Sequence, residues 1–364
     1  MTLSSLAWSD PARASAFAIW LTATAPVHGL APDSVRLASA DASFRRYFRI
    51  DAVSGGASFI VMDAPPALEN CQPFVDIARL MADAGLNAPR VLAWDEAQGF
   101  MLLTDLGAHT MLDVIAPPLA VAETAQPTAT HYALYNDATD ALVRWQLASK
   151  PGVLPVYDDA LLSRELALFP DWYVAKHRGI AADVGSKVRT QLDGLFEQIK
   201  ASNLNSLGGA RVFVHRDFMP RNLMVAPDGQ PPLGVLDFQD AVYGPISYDI
   251  ASLLRDAFLS WEEDFVLDIT IRYWEKARKA GLPVGDDFGE FYRAVEWMGL
   301  QRHLKVLGIF ARLTLRDGKP KYLADTPRFI KYARTTASRY RALGPLMVLL
   351  DEIEGNETRV GYTF

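Results

Sequence analysis

The stretch that decides the reading is Val214-His215-Arg216-Asp217-Phe218-Met219-Pro220-Arg221-Asn222-Leu223-Met224-Val225, followed by Leu236-Asp237-Phe238-Gln239, with fifteen residues from Asn222 to Asp237. Three short apolar runs, Arg211–Val214, Leu223–Val225 and Gly234–Leu236, read as strands, and Pro227-Asp228-Gly229 reads as the turn between the last two. The polar residues cluster at the strand ends. Phosphoryl transfer from magnesium ATP needs a carboxylate that orients the acceptor hydroxyl and takes its proton, and oxygen ligands that hold Mg²⁺ against the phosphates. Asp217 fits the first role, and Asn222 and Asp237 fit the second. The short strands between them would bring both ligands to one edge.

Outward from this island the chain has two characters. On its N-terminal side, residues 11–24 read as an amphipathic helix, 45–50 and 59–62 as strands split by Ser54-Gly55-Gly56, 73–84 as a helix closed by Gly85, and 91–94 and 100–103 as two more strands. After Leu106-Gly107 helical periodicity dominates, over 132–148, 160–177, 185–201, 247–259, 264–280, 287–314 and 326–343. Pro117-Pro118 and 121–130 read as a loop. The expectation is an α+β chain of two lobes: a strand-rich nucleotide-binding lobe over 1–105, and a mostly helical catalytic and substrate-binding lobe over 106–364.

Composition narrows the classes. Half of the 364 residues are hydrophobic and 22% are charged, an ordinary globular balance. Thirty-six basic against 43 acidic residues give a net charge of −7, which argues against a nucleic-acid partner. Cys71 is the single cysteine, so no intramolecular disulfide forms. The first fifteen residues lack the pattern of a secretory signal, and no apolar run is long enough for a membrane span. The expected protein is cytoplasmic, with no membrane and no obligate protein partner. P-loop, HExxH, GxSxG and GxGxxG patterns are absent.

The spacing of Asp217 to Asn222 resembles the kinase catalytic loop. Val235-Leu236-Asp237-Phe238-Gln239-Asp240-Ala241, then Gly244-Pro245 and Tyr248-Asp249-Ile250-Ala251, are similar to the signature of the protein-kinase-like small-molecule kinases, the aminoglycoside and choline phosphotransferase group. Gln239 stands where that group often has an acid. Four further blocks, Ser43–Arg49, Val61–Pro66, Leu168–Tyr173 and Gln301–Val306, resemble the anomeric N-acetylmuramate/N-acetylglucosamine kinases of cell-wall recycling. The resemblance implies a kinase-like fold, ATP as co-substrate, Mg²⁺, and phosphorylation of a sugar's C1 hydroxyl. The competing readings are the same chemistry on an aminoglycoside, choline or homoserine, and a non-catalytic pseudokinase.

The resemblance also distributes roles. His215 and Arg216 would be structural, packing or hydrogen-bonding the loop, and Asp249 would brace it by accepting hydrogen bonds. A nucleotide loop would span Ser43, Phe44, Arg45 and Arg46, without the usual glycines. Thr104, Asp105 and Leu106 would form the hinge that meets adenine. The lysine expected on the strand over 59–62 is missing, and the next helix offers Asp76 instead of a glutamate. An arginine replaces the lysine, Arg46 or Arg49 before Arg45, or the phosphate grip is rearranged. For the acceptor, Arg302, Lys305 and Arg312 fall within about an 80° sector of one helix; they meet an anionic sugar, or form a solvated face or salt bridges to neighbouring acids. Trp172 and Tyr173 stack on its ring or belong to the core.

Overall fold

Asp10 starts the first helix. Its carboxylate accepts the Ala12 amide, and Pro11 occupies the first turn, where no amide partner is needed. The computed structural model describes residues 8, 10–40, 44–119, 126–226 and 232–355. Helix α1 (Pro11–His28) is followed by strands β1 (Arg36–Ala40), β2 (Arg46–Asp51) and β3 (Ser58–Asp63), helix α2 (Gln72–Asp83), and strands β4 (Val91–Asp95), β5 (Phe100–Thr104) and β6 (His109–Thr110). Then come α3 (Met111–Leu119), α4 (Ala129–Leu147), α5 (Asp159–Leu168), α6 (Lys187–Asn205), β7 (Arg211–Val214), β8 (Leu223–Val225), β9 (Gly234–Val235) and β10 (Val242–Pro245). Helices α7 (Ser247–Leu254), α8 (Glu263–Lys279), α9 (Phe288–Leu315), α10 (Thr326–Arg339) and α11 (Gly344–Glu354) complete the chain. Two compact units result: Met1–Met111 with Arg221–Asp240, and Leu112–Pro220 with Ala241–Phe364.

In the first unit β1 to β5 form one antiparallel sheet in the order β1-β2-β3-β5-β4. Side chains alternate faces along each strand, and paired residues share a face. Phe48 pairs with Val61 and Val61 with Leu102. These three pack with Ile50 and Phe100 against Phe17, Trp20, Leu21 and Ala25 of α1. The opposite face carries Tyr47, Arg49, Ile60, Met62, Met101 and Leu103. A second, three-stranded sheet has the order β6-β8-β9.

The second unit is built around α9, whose residues 294–305 are all buried. Helices α5, α6, α7 and α10 pack on it. So does a π-helical continuation of α5, Phe169–His177. Antiparallel strands β7 and β10 pair Val214 with Val242.

The α+β expectation stands, with local differences. Residues 160–177 are one helical run, but it changes from α to π at Phe169. Strand β1 gives little sequence signal because Arg-Leu-Ala-Ser-Ala carries no β-branched residue, and β10 because glycine and proline are half of its four residues. Residues 111–119 are helical although Pro117-Pro118 read as loop. The Pro227–Gly229 turn lies outside the described residues. Among the described residues no helix is long and apolar enough to cross a membrane.

The approach of α9 to the end of α5 needs a bare backbone. A Cβ at Gly308 would lie 2.3 Å from the carbonyl carbon and oxygen of Leu168. Gly308→Ala is expected to lower stability by roughly 1–3 kcal/mol or more in chemical denaturation, because a backbone cannot yield as a side chain can. Gly194→Ala, on exposed α6 with open space around it, is expected to gain about 1 kcal/mol.

Candidate active site

In the second unit the chain leaves β7 through His215, Arg216 and Asp217. Arg216 takes φ +78°, the left-handed region that favours glycine. Three contacts hold it there. Asp249 on α7 accepts the His215 amide at 2.7 Å on one oxygen and the Arg216 amide at 2.9 Å on the other. Arg302 on α9 donates to the Arg216 carbonyl at 2.7 Å. The Arg216 guanidinium donates to Glu165 on α5 at 2.6 Å. Asp249 is fully buried, and burial pushes its carboxyl up to about 7 against the pull of the two amides. Asp249 therefore has the bracing contacts expected of it.

Glu165 is the centre of a buried cluster. One of its oxygens accepts Arg216 and the Lys305 ammonium, the latter at 2.7 Å. The other accepts the Tyr157 hydroxyl at 2.6 Å and the Gln301 amide at 3.0 Å. Burial alone would raise the Glu165 carboxyl, but Lys305 and Arg216 outweigh it and hold it at about 2.

In the first unit the β8–β9 ladder brings Asn222 and Asp237 together. The Leu236 amide donates to the Asn222 carbonyl at 2.9 Å, and the Asn222 Nδ2 lies 3.3 Å from Asp237 Oδ2. Asp237 has φ +62°. Gln239 donates to its other oxygen at 2.8 Å, a bond that an acid at 239 would not make. An amide oxygen beside a carboxylate is a hard-donor pair, which suits a divalent ion that completes its shell with phosphate oxygens and water. No group of three or more His, Cys, Asp or Glu among the described residues could hold a metal.

The arginines of the first unit's sheet separate by face and partner. Arg46 lies on the α1 side, where it shares Asp63 with Arg13 and covers the ring of Trp8. Arg49, on the other face, is bonded to Asp105 at 2.5 Å and to the Gly107 carbonyl. Asp105 also accepts Ser58. Both favoured replacements for the lysine thus have structural partners. Arg45 is buried and pairs with Glu69 at 3.1 Å, just ahead of α2. Glu69 also accepts the amide of exposed Phe44. Asp76 is exposed and takes Gln72 instead. Ser43 lies outside the described residues. Thr104, Asp105 and Leu106 line a cavity of about 630 Å³ with Ser58, Phe59 and Arg90.

The acceptor residues need correction. Arg302 and Lys305 do share a side of α9, but it faces inward: they are 6% and 8% exposed, and their contacts are Arg216, Glu165 and Tyr248. Tyr173 is also interior. Its ring stacks on Phe169 and its hydroxyl donates to Glu354, so it offers no face to a sugar. Trp172 is half-buried, with the Lys176 ammonium 3.6 Å from its ring centre. Arg312 is half-buried two turns beyond Lys305. Sequence reading missed Glu69 and Glu165, because an isolated glutamate far along the chain gives no motif.

The Phosphotransferase enzyme family profile matches residues 34–288, and the chain belongs to that family. Its fold is shared with the ADP-bound aminoglycoside phosphotransferase APH(2'')-Ib, at 14% identity and a TM-score of 0.59, covering 88% of this chain and 98% of that one. The choline kinase LicA from Streptococcus pneumoniae gives 13% and 0.58, covering 88% and 99%. Far closer in sequence are two proteins named N-acetylmuramate/N-acetylglucosamine kinase. That of Neisseria meningitidis serogroup B is 49% identical over 90% of this chain and 93% of its own. That of Pseudomonas aeruginosa is 46% identical over 94% and 97%.

Glu165→Gln leaves buried Lys305 and half-buried Arg216 short of a counter-charge and should lower stability by about 3–5 kcal/mol near neutral pH. The folded-state carboxyl sits near 2 against an ordinary 4.5, so its contribution is complete above about 4.5 and is lost as pH falls through about 2. Denaturant titrations should therefore show the gap between wild type and variant closing over that interval. A gap independent of pH would contradict the assignment.

Proposed function

We propose that the protein is an ATP-dependent kinase that phosphorylates the anomeric C1 hydroxyl of N-acetylmuramate, N-acetylglucosamine or both. The observation that carries the reading is Asp217, which follows a backbone fixed by three separate contacts and sits five residues before Asn222, itself beside Asp237. The names of the two relatives supply the acceptor.

Asp217 orients the C1 hydroxyl and accepts its proton. The hydroxyl oxygen forms a bond to the γ-phosphorus while the bond from that phosphorus to the β–γ bridging oxygen breaks, so ADP leaves and the sugar 1-phosphate forms. Asn222 and Asp237 would hold Mg²⁺. When bound, that ion supplies charge neutralisation on the phosphates. The cavity beside Thr104–Leu106 has the volume of a small-ligand site and is assigned to the nucleotide base.

Arg45 takes the place of the missing lysine, with Glu69 as its acidic partner. Support comes from its burial, the ion pair, and its position at the edge of the loop assigned to the phosphates. A guanidinium can serve two oxyanions at once through its fork of donors. For the sugar, Trp172 and Arg312 are retained, since both side chains are half-exposed. The reading puts the enzyme in the cytoplasm, where ATP is.

Two experiments test this. A coupled ADP-release assay with N-acetylmuramate, N-acetylglucosamine, glucose, choline and kanamycin should respond to the two N-acetylated sugars and fall to background in Asp217→Asn. Turnover on choline or kanamycin alone would keep the kinase and sink the sugar. Arg45→Ala should raise KM for ATP roughly tenfold or more, the worth of one charge-assisted contact, with KM for sugar within about twofold. An unchanged KM for ATP would remove Arg45 from the phosphate site.

A further inference from the structure

Arg216 presents a contradiction that its side chain resolves. Its φ of +78° is the conformation that an L side chain resists and glycine adopts freely. Residues kept in such regions persist where their surroundings over-determine them. Here the amide, the carbonyl and the end of the guanidinium of one residue are each held by a different partner. The amide goes to Asp249, the carbonyl to Arg302, and the guanidinium to Glu165. Glu165 is held in turn by Lys305, Tyr157 and Gln301, and Arg302 lies over the ring of Tyr248. All of these partners are buried, on α5, α7, α9 and the segment before α5. None of them repeats the contact of another.

We infer that Arg216 is a positioning residue: its ion pair with Glu165, backed by Lys305 and Arg302, fixes where the Asp217 carboxylate points. Two cations of α9 that read as anion-binding groups thus serve the base instead of the substrate. The charge of Asp217 is felt at all three, favouring the charged forms of Arg216, Arg302 and Lys305. The inference rests on the kinase reading for its kinetic test, and on geometry alone for its structural one.

Arg216→Gly removes the side chain and the backbone strain together. A structural role alone predicts altered stability with unaltered chemistry. Positioning predicts that kcat falls by roughly ten- to a hundredfold, the scale of an ångström of misplacement at a reacting group. KM for ATP and for sugar should stay within about twofold. Tm should fall, because Glu165 loses one of its two cations, with part of the loss offset by the backbone strain that glycine relieves. Arg216→Lys restores a cation without the planar fork and should give an intermediate kcat. If the glycine variant fails to fold, the lysine variant decides: lowered kcat at unchanged KM supports the inference, and wild-type kcat overturns it. A folded glycine variant with kcat within twofold of wild type also overturns it. A crystal structure of the glycine variant reads the position of Asp217 without any substrate. Displacement of its carboxylate by about 1 Å or more supports the inference even if the sugar assignment fails, and superposition on wild type overturns it.

Discussion

Glu165 sits in the interior of the second unit and gathers four donors onto two oxygens. A lone buried carboxylate would be protonated or would be expelled from the fold. Two cations keep this one ionised, and it keeps them charged. The arrangement is costly to assemble and more costly to break, because loss of one member strands the others away from water. It joins α5 to α9 and both to the loop after β7. The helices that make the core are therefore the same ones that set the backbone ahead of Asp217. Stability and chemistry share residues here.

Ion pairs sort the arginines of the first unit in a similar way. Asp63 claims Arg46 and Arg13 on one face of the sheet, and Asp105 claims Arg49 on the other. Glu69 then stands beside Arg45 at the edge of the loop expected to meet phosphates. In the proposed reading this ion pair stands in for the lysine-to-glutamate pair of the kinase pattern. Its acid precedes α2 instead of lying on it, where Asp76 is.

The parts legible in the sequence were those with fixed local spacing. Asp217, Asn222 and Asp237 stand at offsets that only a loop and a hairpin reconcile, and the β8–β9 ladder does bring the last two together. The alternating strands and most helices followed from periodicity. What escaped was set by contacts at long separation. Arg216 and Glu165 are 51 residues apart, and Arg45 and Glu69 are 24 apart, so no periodic signal links them. The side shared by Arg302 and Lys305 follows from helical geometry, but whether it meets substrate, water or an acid stays open in the sequence. A basic stripe looks the same in sequence whether it meets water or a buried acid. Tyr173 is a similar case, since an aromatic side chain in sequence reads equally as a ring for a sugar or as core, and its ring lies on Phe169.

The central claim is that this chain moves a phosphoryl group onto the anomeric oxygen of an N-acetylated sugar. N-acetylmuramate or N-acetylglucosamine labelled with ¹³C at C1, incubated with Mg·ATP and the enzyme, tests it in one spectrum. The account predicts a C1 resonance split by coupling to ³¹P, growing as ATP is consumed. ATP consumption with C1 left unsplit, the phosphorus residing on another hydroxyl or free in solution, would contradict it.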